Sequence, residues 1–143
     1  MAFHYKNSFK KEWINDKIDD SGIEYLENFG LFLCDKISKD DRFTGYNGVT
    51  TSQLRNIFSE VKRIEIKMDE FNDWTTDVLM LRPKIAYTTA RTMQRSKGSR
   101  MKELREILEI ALAQVSSDKE KFKNFSKLFE GIIAYHKVFG GKD

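Results

Sequence analysis

The sequence predicts an all-α protein, a compact helical bundle of about five helices, and three observations support this class. Proline occurs once in 143 residues, at Pro83, so few positions interrupt a helix. Apolar residues recur at spacings of three and four in several windows, which is the period of one helix face. Nothing in the chain has the pattern of a long β-strand. Forty per cent hydrophobic and a third charged residues are ordinary for a globular domain.

The first long helix is predicted to run from Ile23 to Lys39. Its apolar positions are three or four residues apart, at Ile23, Leu26, Gly30, Leu33 and Ile37. Residues 1–21 carry scattered aromatic side chains and predict either an N-terminal arm or a short helix. The predicted organisation is therefore this N-terminal segment followed by a single helical-bundle domain over residues 22–143.

The second helix is predicted to begin at Thr50 or Thr51. Thr50 and Gln53 have the spacing of a capping box, in which the two side chains bond the free backbone N–H groups of the first turn. Its buried stripe is expected at Leu54, Ile57, Phe58, Val61, Ile64 and Met68. Pro83 predicts the start of a third helix that runs to about Ser96, because proline is well tolerated in the first turn.

The fourth and fifth helices are predicted in the last third of the chain. The fourth spans about Ser99 to Ser116. Asp118 is a good N-cap for the fifth, since its carboxylate can accept from the first backbone N–H groups. The stripe of the fifth helix is heavily aromatic and consists of Phe122, Phe125, Phe129, Ile132, His136 and Phe139. Short loops between helices of this length are typical of a bundle.

Residue types that carry catalysis or hold metals are sparse, so no catalytic residue, metal site or cofactor is predicted. His136 lies on the apolar stripe of the last helix without an orienting partner nearby in sequence, and a core or interface role is expected. The single cysteine, Cys34, lies in an apolar run and is expected to be a buried thiol. Five aspartates are expected to cap helices or face solvent: Asp16, Asp19, Asp20, Asp40 and Asp41.

The composition also predicts a cytoplasmic protein with no membrane partner. One cysteine cannot form an internal disulfide, which suits a reducing compartment. Charges interrupt the first twenty residues every few positions, unlike a secretory signal. The apolar stretch from Gly30 to Cys34 is far too short to span a bilayer.

Positive charge is concentrated in one stretch of a nearly neutral chain. The net charge is +3, but the window from Arg82 to Arg105 holds eight basic residues and one acid, Glu103, and is +7 by itself. A face that only confers solubility normally mixes both signs. The window therefore predicts a binding footprint for a polyanion.

Helical spacing places much of this charge on one face. In the helix after Pro83, one side carries Lys84, Thr88, Arg91 and Arg95, with Tyr87 adjoining it. Cations can displace the counterions of a phosphate backbone, while hydroxyls and a ring can contact sugars or bases. Further basic residues lie just before this helix or off the buried stripe of the second helix: Arg82, Arg55, Lys62 and Arg63.

Three stretches of the chain resemble the small, helical subunit of type III-A CRISPR–Cas effector complexes. They are TTSQLRNIFSEV (residues 50–61), LRPKIAYTTAR (residues 81–91) and FEGIIAYHKVFGGKD (residues 129–143). Their order and spacing also fit, and the similarity covers roughly Ile23 to the C-terminus. The resemblance implies an antiviral complex in which stacked copies of this subunit lie beside larger subunits that hold the guide RNA. It further implies a non-catalytic subunit that lines the channel where guide and target RNA pair.

Positions that match this family imply a set of RNA-facing residues, namely Arg55, Lys62, Arg82, Lys84 and Arg91. Arg63 and Arg95 join the set from the helical-face argument alone. Tyr135, Lys137 and the Gly140–Gly141 end match the family's tail and are expected to be structural or to contact other subunits. The predicted partners are thus guide and target RNA, the other subunits of the complex and further copies of this chain.

Three other functions compete with this interpretation. A small DNA-binding regulator would need a helix–turn–helix unit around the turn at Ser96 to Ser99, but the basic residues precede that turn as much as they follow it. A structural adaptor would dock through the aromatic last helix and would have no affinity for RNA. A ribonuclease lacks an evident acid–base pair.

Overall fold

The computed structural model describes residues 3–35, 47–70 and 72–143. Over these residues the protein is all-α, which confirms the predicted fold class. Six helices occur in the described ranges: α1 (Glu12–Asn15), α2 (Asp20–Cys34), α3 (Thr51–Lys67), α4 (Trp74–Arg95), α5 (Met101–Ala113) and α6 (Lys119–Val138). None of the helices in this part of the chain is long and apolar enough to cross a bilayer.

The last helix, α6, is the centre of the bundle. It packs against α1, α2, α3 and α5, and the rings of Phe122, Phe125 and Phe129 are fully buried among them. Asp118 caps it by accepting a hydrogen bond from the backbone N–H of Lys121. The predicted cap and the predicted aromatic stripe are both confirmed. Because these rings form the core, they are not a surface on which a partner could dock.

The start of α3 has the predicted capping box. The Thr50 hydroxyl accepts from the backbone N–H of Gln53 at 3.1 Å, and the Gln53 side-chain oxygen accepts from the backbone N–H of Thr50 at 2.8 Å. The expected stripe of α3 faces the core, with only Phe58 partly exposed. This end of α3 is therefore fixed by local bonds as well as by packing.

The helix predicted to begin near Pro83 begins instead at Trp74, and Pro83 lies inside α4. Proline lacks the N–H that would bond the carbonyl four residues earlier, so a break was expected there. Pro83 and Leu79 are both exposed, and water can bond the freed carbonyl. The buried positions of α4 continue on one face across the proline, so tertiary packing outweighs the local penalty.

The N-terminal segment forms turns and the short α1, and it packs onto α2 through aromatic rings. Tyr5 stacks on Phe29 and Phe32, and its hydroxyl donates to Glu106 on α5 at 2.9 Å. Burial raises the pKa of Tyr5 to about 12, and the hydrogen bond to the Glu106 carboxylate contributes in the same direction. Residues 3–15 are thus tied to two helices of the bundle.

The predicted boundaries of α2 were wrong at both ends. The helix begins at Asp20, because the Asp19 side chain accepts from the backbone N–H of Gly22 and acts as the N-cap. It ends at Cys34, where Asp35 adopts a left-handed backbone conformation. The remainder of the predicted helix, residues 36–39, lies outside the described residues.

Replacing Pro83 by alanine should stabilise the protein. The substitution restores one helical hydrogen bond at an exposed position, and proline inside a helix costs up to about 3 kcal/mol relative to alanine. Urea denaturation followed by circular dichroism should show a higher free energy of unfolding with an unchanged m-value. A lower free energy of unfolding would mean that α4 depends on the proline.

Candidate nucleic-acid interface

A groove runs between α3 and α4, which lie antiparallel. Gln53 on α3 donates to the Thr92 hydroxyl on α4 at 3.3 Å, and Glu60 pairs with Lys84 at 3.5 Å. The space between the helices has a volume of about 770 Å³. We call it the α3–α4 groove; its polar and basic wall includes Ser52, Gln53, Asn56, Lys84, Tyr87, Thr88, Arg91, Thr92, Arg95 and Lys142.

The groove brings together three of the seven predicted RNA-facing residues. Lys84, Arg91 and Arg95 line it, and so do Tyr87 and Thr88, as the predicted helical face requires. Arg82 does not line it, because a step of two residues turns about 200° around a helix and points the side chain away from Lys84. The predicted positions on α3, namely Arg55, Lys62 and Arg63, also lie outside the lining.

Carboxylates on α3 neutralise several of the predicted cations. Arg63 pairs with Glu60 at 3.0 Å, and Lys62 pairs with Glu65 at 3.5 Å. Glu60 also contacts Lys84, so one carboxylate serves two cations. The hydrogen bond from Arg63, together with the nearby charges of Lys84 and Arg63, holds the pKa of Glu60 below its usual value. Lys84 therefore lines the groove, but its charge is partly neutralised by Glu60.

Arg91 and Arg95 differ from these residues. Both are exposed, and no carboxylate in the described ranges pairs with either guanidinium. They are four residues apart, which is about 6 Å along the helix axis and on the same side. No aspartate or glutamate is found among the described residues that line the groove. The two arginines therefore present their full charge to whatever occupies it.

The C-terminal tail lies at one end of the α3–α4 groove, a feature that the sequence did not predict. The backbone N–H of Thr51 donates to the carbonyl of Lys142 at 2.8 Å, and the Ser52 hydroxyl donates to the carbonyl of Asp143 at 3.1 Å. These bonds lay the tail along the start of α3 and bring Lys142 into the lining. The only signal in the sequence was the Gly140–Gly141 pair, which was expected to be structural or to contact other subunits.

His136 holds this tail in place. The side chain is 0% exposed, and Nε2 lies 2.6 Å from the carbonyl oxygen of Val49. Gly141 packs directly on the imidazole, where any side chain would collide with the ring, and its N–H donates to the carbonyl of His136. Burial lowers the pKa of His136, and Nδ1 has no hydrogen-bond partner within the described structure. The predicted core position of His136 is confirmed.

Two further residues with side chains suited to chemistry, Asp19 and Cys34, have structural roles. Asp19 caps α2 and also accepts from the indole N–H of Trp13 at 3.0 Å. Cys34 is a buried thiol, as predicted, and donates to the carbonyl of Gly30. No group of three or more potential metal ligands occurs within residues 3–35, 47–70 and 72–143. Asp40 and Asp41 lie outside those ranges.

The groove combines cations with hydroxyls, amides and one aromatic ring. Such a set holds a polyanion by its backbone, because the cations bind phosphates and few side chains select a base. The fold and the groove together define a class: a small all-α protein with a cationic binding groove.

Comparison with known proteins identifies the family within this class. The family described as Csm2 Type III-A matches residues 33–142. The "CRISPR system Cms protein Csm2" of Streptococcus thermophilus is 31% identical over 111 residues, which cover 75% of this chain and 84% of that protein. No solved structure matches the chain. The chain therefore belongs to the Csm2 family of type III-A CRISPR systems, which confirms the resemblance found in the sequence.

Acidification should destabilise the protein through His136. The pKa of His136 is lowered from 6.5 in the folded state, so below pH 6.5 the unfolded chain binds a proton that the folded protein does not. The free energy of unfolding should then fall with decreasing pH, by at most about 1.4 kcal/mol per pH unit, and level off below the folded pKa.

Urea denaturation from pH 7.5 down to 5.5 measures this effect, with His136→Gln as the control. Glutamine can still donate to the Val49 carbonyl but does not titrate, so the variant should lose most of the pH dependence across this range. A variant that retains the full dependence would show that another group is responsible.

Proposed function

We propose that this chain is a non-catalytic small subunit of a type III-A RNA-guided interference complex in antiviral defence. The α3–α4 groove is its RNA-binding surface and lines the channel in which guide and target RNA pair. The observation that carries the proposal is the pair Arg91 and Arg95, which line a groove whose described lining contains no aspartate or glutamate. Family membership supports the place of the chain in a multisubunit effector complex, which we expect in the cytoplasm.

Affinity in such a groove comes mainly from phosphate contacts. Arg91 and Arg95 can displace counterions from a strand, and Lys142 adds a third positive charge from the tail. Lys84 contributes less, because it is already paired with Glu60. Arg55, Lys62, Arg63 and Arg82 remain predicted RNA contacts outside the groove.

Two buried groups support the non-catalytic role. His136 is enclosed by the tail, with its low pKa and its bond to the Val49 carbonyl, and cannot reach an RNA phosphate. Cys34 is equally enclosed. Two residues able to act as a general base or a nucleophile are therefore withdrawn from the surface.

A DNA-binding regulator is less well supported by the geometry. Its recognition helix would be α5, which follows the turn after α4. This helix carries Glu103, Glu106 and Glu109, and Glu109 pairs with Arg105 at 2.9 Å. These carboxylates would be repelled by the phosphates on either side of a DNA groove.

Stacking of copies is supported by the distribution of charge along α3 and α4. The turn that joins the two helices carries Asp69, Glu70 and Asp73, and exposed Leu79 and Met80 lie next to it in sequence. The opposite end of the pair, about 25 Å away over the length of α3, carries Arg95, Lys97 and Lys142. Two different, complementary ends favour a head-to-tail contact, which does not close and can extend into a row.

Replacing Arg91 and Arg95 together by alanine should weaken binding to a mixed-sequence single-stranded RNA. Two phosphate contacts are lost, so the slope of log K against log salt should become shallower by about two. Fluorescence anisotropy at several salt concentrations measures both effects, and gel analysis should show the RNA intact with and without Mg²⁺. Both side chains are exposed, so the melting temperature should hardly change.

The matched control is the double variant Lys17→Ala with Lys127→Ala. It removes the same charge from two exposed lysines outside the groove and should change the salt slope less. Equal losses of RNA affinity in both double variants would show that net charge alone determines binding, and would contradict the proposed groove. Tighter binding to duplex DNA than to RNA would favour the regulator, and cleavage of the RNA would disprove the non-catalytic role.

Replacing Leu79 and Met80 together by lysine should reduce self-association. The change removes apolar contact area and places two cations at the acidic end, which would face the basic end of the next copy. Sedimentation velocity should show association of the parent that weakens with salt, and less association of the variant. The control variant, Ala90→Lys with Gln94→Lys, adds two lysines at exposed positions of the same helix and should not weaken self-association. If the Leu79/Met80 variant associates as strongly as the parent, the acidic end of the α3–α4 pair is not the contact.

A further inference from the structure

Tyr87 is the one exposed aromatic residue in the described part of the chain. Its side chain is 66% exposed, whereas the other described phenylalanine, tyrosine and tryptophan residues are buried or partly buried. None of the ring pairs within the described residues includes Tyr87. The other described rings pack against one another, whereas the ring of Tyr87 faces solvent inside the α3–α4 groove.

The neighbours of Tyr87 suit a nucleotide strand. Lys84 precedes it by three residues and Arg91 follows it by four, so both lie on the same side of α4, about 10 Å apart along the axis. Asn56 lines the facing wall on α3. The order cation, ring, cation along one helix face matches the order phosphate, base, phosphate along an extended strand.

We infer that Tyr87 is a stacking platform for one unpaired base, an inference that rests on the proposed RNA-binding role of the groove. Stacking on a tyrosine ring requires the free face of a base. In a continuous duplex each face is covered by the neighbouring base pair, so only a single strand or a base displaced from the stack can present one. The groove therefore binds an unpaired nucleotide more tightly than a fully paired one.

The contact is tolerant of base identity. Every base has a π-face, so stacking adds affinity without selecting a sequence. The Asn56 amide offers both a donor and an acceptor, and it can bond the edges of different bases. Tyr87 thus distinguishes unpaired from paired RNA, while Arg91 and Arg95 supply the salt-dependent affinity.

Abasic RNA tests this inference on the full-length protein. Fluorescence anisotropy would compare a mixed-sequence single strand, the same strand with several abasic sites, the perfect duplex and a duplex with a one-nucleotide bulge. Removal of the bases should weaken binding to the parent on the order of ten-fold. This loss should disappear in Tyr87→Ala and persist in Tyr87→Phe, which keeps the ring. The salt slope of Tyr87→Ala should equal that of the parent, because no phosphate contact is removed.

Gln94→Ala is the matched control, since it truncates another exposed side chain of α4 outside the groove. It should bind intact and abasic RNA as the parent does, and circular dichroism melts should show both alanine variants folded. The bulged duplex separates the two sources of an unpaired base: Tyr87-dependent binding to it identifies a displaced base, and dependence on the single strand alone identifies single-stranded RNA.

Equal affinity of the parent for intact and abasic strands would overturn the inference. It would also be overturned if the parent bound the perfect duplex as tightly as the single strand and both affinities fell in Tyr87→Ala. Either result would leave the proposed function intact, provided that binding still falls in the Arg91/Arg95 double variant. Absence of salt-dependent RNA binding by the parent would instead overturn the proposed function itself.

Discussion

The burial of one face of α6 is the constraint on which the rest of the structure depends. Phe122, Phe125 and Phe129 are fully enclosed by the helices packed around them, and a buried ring of this size stabilises a fold by roughly 1.5–3 kcal/mol. The helix α3 packs directly on α6, whereas α4 packs mainly on α3 and α5. The α3–α4 groove is therefore one layer removed from the centre. The two helices that form the groove are held in place by the core, but the side chains that line the groove are not part of the core.

The position of charge in the sequence is only a partial guide to its position on the surface. The window from Arg82 to Arg105 was predicted to be a single binding footprint, yet the structure directs its cations to different places. Arg100 pairs with Asp35 and lies over the ring of Phe32, and Arg105 pairs with Glu109. A fourth cation of the groove, Lys142, comes from the opposite end of the chain through backbone bonds that no local pattern could reveal.

Two caps with a local cause were predicted correctly, and several features with a tertiary cause were not. The caps at Thr50 and Asp118 depend on side chains within three residues of the backbone groups they bond, so the spacing in the sequence was sufficient to predict them. Pro83 was misread because the apolar face from Trp74 onward is buried by other helices, and that burial is invisible to a local rule. The aromatic packing of residues 3–15 likewise depends on α2, and the sequence could offer only an arm or a short helix.

The location of the groove also explains why it can remain cationic. Like charges on an exposed surface repel each other only weakly in water, so Arg91, Arg95 and Lys142 can lie near one another at small cost to the folded state. On the side of α3 where more cations gather, Glu60 and Glu65 pair with Arg63 and Lys62 and limit the repulsion. The charge of Arg91 and Arg95, which no carboxylate among the described residues pairs, lies in the lining of the groove. A bound polyanion would neutralise that charge and release counterions, so occupancy should favour the folded state through the same groups that give the affinity.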